Sequence, residues 1–76
     1  MSLKNEILDG LISHARGEIQ KARVNIKVYL EHPAGIGEHP DILGAIQTEL
    51  DKICANEERI EQINKHFKSS PEVNDT

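Results

Sequence analysis

The chain has 76 residues, nine basic against thirteen acidic side chains, a net charge of −4 and a single cysteine. That composition makes one small domain with a marginal core and no disulfide; it has too little positive charge to hold a phosphate backbone, and one Phe, one Tyr and no Trp leave little to stack on bases. No apolar run approaches the roughly 18–20 residues of a membrane span, and the segment from Met1 to Glu6 lacks the apolar stretch of a secretion signal, so a cytoplasmic protein with neither a nucleic-acid nor a membrane partner is expected.

The first predicted element is a helix over about 3–31. No proline interrupts it, and Leu8, Ile12, Ala15, Ile19, Ala22, Ile26 and Tyr29 recur at alternating steps of four and three, the spacing of a heptad seam. Ser2 is placed to cap its N-terminus. His32-Pro33 ends the helix, because proline pushes the preceding residue out of the α region. A turn over 32–39 follows, with Gly35 and Gly37 able to take positive φ.

A second helix is predicted over about 40–68. Pro40 suits its first turn and Asp41 its positive dipole end. Its seam reads Leu43, Ile46, Leu50, Ile53, Glu57, Ile60, Asn64 and Phe67. Ser69-Ser70-Pro71 stops it, and residues 69–76 form a polar, flexible C-terminal tail. Folding the chain at Ile36 sets Tyr29 against Leu43, Ile26 against Ile46, Ala22 against Leu50, Ile19 against Ile53 and Ile12 against Ile60, each an a–d match. Seam and turn thus agree on an all-α fold, an antiparallel two-helix hairpin resembling a coiled coil. Glu57 and Asn64 fall at a positions in the half away from the turn. Either Glu57 lies over small Ala15 and snorkels to water, or the two form a polar device that sets register or oligomer state.

Leu3, Ile7, Leu11, Val24, Val28, Leu30, Ile42 and Ile63 lie outside this seam. Two helices cannot cover so many apolar groups, and an exposed apolar patch marks a partner surface. A homo-oligomer, dimer or tetramer, that assembles hairpins into a four-helix bundle is the economical expectation. The candidate interface is Ile7, Gly10, Leu11, Gly17, Val24, Val28 and Ile63. Gly10 and Gly17 stand one heptad apart and each costs about 1 kcal/mol inside a helix; they serve close approach by a partner helix, or are tolerated at exposed positions.

Residues that could carry chemistry are few. His14 and Glu18 are spaced four apart, a geometry that can share a metal, and His32, Glu38 and His39 flank the turn as a second set of metal candidates. No metalloprotease or zinc spacing accompanies them, so no metal, no other cofactor and no catalytic residue is assigned. Cys54, without a basic neighbour to activate it, is read as a small apolar filler. Arg16, Lys21, Arg23 and Lys27 make the first helix basic, while Glu49, Asp51, Glu57, Glu58 and Glu61 make the second acidic, a complementarity that sets pairing more than affinity.

The stretch Val28 to Ile42, with Gly35-Ile36-Gly37-Glu38-His39 at its centre, together with His14-Ala15-Arg16-Gly17-Glu18-Ile19, resembles small α-helical proteins encoded by T4-like tailed phages of marine bacteria, cyanophages especially. The resemblance covers about residues 7–67. It implies a setting, the infected bacterial cytoplasm or the virion, and carries over no activity and no catalytic residue. The expected function is accordingly non-enzymatic: a helical-hairpin assembly protein, structural or accessory to a phage. The alternative is a regulatory module that captures a host protein through an exposed apolar helix face.

Overall fold

The computed structural model describes residues 2–32 and 41–68. It contains two helices, α1 over Leu3–Glu31 and α2 over Ile42–His66. They pack against each other and run antiparallel: Asn25 bonds to Glu49 near the linker end, and Lys68 pairs with Asp9 at the other. The hairpin fold and the bounds of α1 match the sequence reading. The segment 33–40 and the tail 69–76, with Gly35, Gly37, Glu38, His39 and Pro40, lie outside the described residues.

The ends of both helices follow from single residues. The Ser2 hydroxyl accepts a hydrogen bond from the Asn5 amide at 3.1 Å, and the chain leaves α1 through His32, whose amide still donates to the Val28 carbonyl at 2.9 Å. Asp41 caps α2: its carboxylate accepts from the Gly44 amide at 2.9 Å, and the helix starts at Ile42, two residues later than the sequence reading placed it. Gly44 has a local reason to be glycine. A Cβ there would run into the Asp41 carboxylate and displace the cap. Asp41→Ala is expected to cost about 1 kcal/mol, read as a lower melting temperature and faster amide exchange in the first turn of α2. At the other end, Lys65 and His66 sit in the last turn, where positive charge meets the negative end of the helix dipole.

The α1 side of the seam is as read. Ile12, Ala15 and Ala22 are buried, and Leu8, Ile19, Ile26 and Tyr29 are half-buried between them. The α2 side is corrected. Leu43 is 76% exposed, Leu50 46% and Phe67 58%, and Glu57 and Asn64 face solvent. Their row is replaced by its neighbour, one residue back: Ile42, Glu49, Asn56 and Ile63. With Ile46, Ile53 and Ile60, kept from the predicted seam, these form steps of four and three, and all seven residues are buried or half-buried. Ile63, read as an interface residue, belongs to the core, and half-buried Ile42 joins the seam.

The core is correspondingly thin. Ile12, Ala15, Ala22 and Ile63 are its only buried apolar residues among those described, and no large side chain is fully enclosed. Ala15 and Ala22 have 0 and 1% exposure, which marks them as points where the helices approach closely.

Candidate functional site

Two features stand out: a polar layer inside the hairpin and apolar faces outside it. The polar layer arises because the α2 seam carries Glu49 and Asn56, one heptad apart and each 7% exposed. An unpaired buried carboxylate would be costly, and Glu49 is supplied with two donors. The Asn25 side-chain amide reaches one oxygen from α1 at 3.3 Å, and the Lys52 ammonium reaches the other at 3.4 Å. Asn56 donates to the Lys52 carbonyl at 2.8 Å and accepts from the Arg59 guanidinium at 3.1 Å. No buried side-chain polar atom among the described residues is left without a partner.

This layer corrects the sequence reading of Glu57 and Asn64 as the polar members of the seam. Glu57 faces water, as the snorkelling reading expects, and the buried polar pair lies one position back along α2. Asn25, outside the predicted seam, was the available signal, since it is the amide that α1 can present to a carboxylate at Glu49. The layer is structural: the buried carboxylate of Glu49 and the buried amide of Asn56 are both bonded to other groups of the hairpin.

Of the candidate metal residues, only His14, Glu18 and His32 are described. The ring of His14 lies 4.0 Å from the Glu18 carboxylate, with 71 and 38% of the two side chains exposed, a loose surface pair. His32 is exposed at the end of α1, while Glu38 and His39 lie outside the described residues. No group of three His, Cys, Asp or Glu side chains suited to a metal ion occurs among the described residues. Cys54 is exposed, so it fills no apolar space, contrary to its reading as a filler. The hairpin measures 52 × 26 × 15 Å, and two helices of this thickness enclose no substrate cavity between the described residues. Gln20, Arg23, Val24, Ile26 and Lys27 line an open groove on α1 that mixes two cations with aliphatic surface. No described helix is long and apolar enough to cross a membrane.

The apolar faces are the larger feature. Leu3, Ile7, Leu11, Val24, Val28 and Leu30 on α1, and Leu43, Leu50 and Phe67 on the α2 side, are all between 46 and 76% exposed. Of the candidate interface residues, Ile7, Gly10, Leu11, Gly17, Val24 and Val28 are exposed together on α1, and Ile63 alone is withdrawn into the core. A Cβ placed on Gly10 or Gly17 meets nothing within 4 Å, so the hairpin's own packing does not require either glycine.

The chain matches no protein-family model, no curated protein and no solved structure.

Proposed function

We propose that this protein is a non-enzymatic assembly module, a helical hairpin that works by associating with further copies of itself as a dimer or tetramer, in a four-helix bundle. The observation that carries this reading is the imbalance between covered and uncovered apolar surface. Among the described residues nine large apolar side chains are exposed, against four buried apolar residues, two of them alanines. Full burial of an aliphatic side chain stabilises by roughly 1.5–3 kcal/mol, so covering even part of these faces adds appreciably to a hairpin with a thin core. In the setting that the phage resemblance implies, the module is an accessory or structural part of a phage assembly.

The test is the solution mass, measured by light scattering over a concentration series. The expected result is a mass of two or four chains, with a melting temperature that rises with protein concentration. A chain that stays monomeric and well folded at every concentration would overturn the proposal and turn the exposed apolar faces toward a different protein.

A further inference from the structure

The face of α1 that points away from α2 carries a second heptad pattern, independent of the hairpin seam. Its apolar members sit at the two ends: Leu3 and Ile7 near the N-terminus, Val24 and Val28 near the linker, each 46 to 71% exposed. Gly10, His14, Gly17 and Lys21 continue the alternating steps of four and three between them, and all four are exposed. A stripe with this spacing fits another helix with the same spacing. Nothing within the described hairpin covers it.

The pattern is self-complementary in one orientation. When two copies of α1 run antiparallel about a two-fold axis between Ala15 and Arg16, Leu3 meets the other copy's Val28 and Ile7 meets its Val24, twice over by symmetry. In the middle, Lys21 falls against Gly10 and His14 against Gly17, so each long polar side chain lies over a residue with no side chain. That gives both glycines a purpose the hairpin does not supply. The parallel alternative would set Lys21 against Lys21 and His14 against His14. The charges on the flank agree with the antiparallel choice: Glu6 and Lys27, both exposed, occupy the positions that face each other across such a pair, again twice over.

We infer that α1 pairs antiparallel with α1 of a second copy through this face, with Leu3, Ile7, Val24 and Val28 as its apolar ends and Glu6–Lys27 ion pairs fixing its register. The inference rests on the assembly reading and specifies the surface that assembly uses.

A charge swap, followed by light scattering and sedimentation of the full chain, tests it. Glu6→Lys and Lys27→Glu should each place like charges opposite one another and raise the dissociation constant about tenfold. The double variant Glu6→Lys/Lys27→Glu restores opposite charges and should recover wild-type association. Ile7→Glu/Val24→Glu should yield monomers with unchanged helicity, since both residues lie outside the hairpin core. A wild-type chain that is itself monomeric overturns the assembly reading and this inference together. A wild-type oligomer that ignores both the apolar and the charge variants overturns the inference alone. So does a double swap that behaves no better than the single ones, because the register would then be wrong.

Discussion

Ile63→Asp is expected to unfold the hairpin, whereas Asn64→Asp, one residue along, is expected to leave it intact. Ile63 is 8% exposed and Asn64 faces solvent. An ionised carboxylate at position 63 has no cation prepared for it inside the seam, and burying an unpaired charge costs several kcal/mol. A domain of this size has a total stability of about 4–11 kcal/mol, and the thin core here places it toward the low end. Circular dichroism at fixed protein concentration should show loss of most helicity for Ile63→Asp and a wild-type melt for Asn64→Asp. The reverse pattern would restore the register in which Asn64 points inward. Equal tolerance of both would mean that α2 has no fixed face toward α1.

Ala15→Leu should be the next most damaging change. Ala15 has no exposed surface, so the added atoms must push the helices apart or force a strained rotamer. Overpacking of this kind costs about 1–3 kcal/mol, which for a small domain lowers the melting temperature by roughly 5–20 °C. Ala55→Leu makes the same chemical change at an exposed position on α2 and should be nearly neutral. If Ala15→Leu melts like the wild type, the helices do not approach closely at that layer.

The two helices differ in how far the sequence revealed them. On α1 the seam residues, the bounds and the Ser2 cap were legible because one apolar row is continuous and a polar residue sits immediately ahead of it. On α2 two adjacent rows compete. Leu43 and Leu50 continue into Glu57 and Asn64, while Ile42 continues through Glu49 and Asn56 to Ile63. Each row holds two apolar and two polar residues, so counting apolar residues cannot choose between them. The choice depends on which polar pair can be satisfied inside. Glu49 has Asn25 and Lys52 within reach, and Asn56 has the Lys52 carbonyl and Arg59. These partners come partly from the other helix and partly from the next turn, and that information is absent from the spacing of apolar residues along one chain. The same limit applied to Ile63, which looked like surplus apolar surface only while its row was taken to face outward. Asp41 was recognised as favourable to the helix dipole, but its capping role emerges only with Gly44, whose missing side chain makes room for the carboxylate.

The placement of the core also shapes how the chain folds. Ile12, Ala15 and Ile63 lie in the half of the hairpin remote from the linker, while the nearer half buries Ala22 beside a carboxylate and an amide. A hairpin that closed like a zip from its linker would therefore first form layers whose apolar residues, Ile26, Tyr29, Ile42 and Ile46, end only half-buried. The layers that hold it together close a long loop, and the entropy of that closure is met before the reward arrives. A nucleus that joins the two ends of the sequence, instead of spreading from its middle, is the folding route this placement favours.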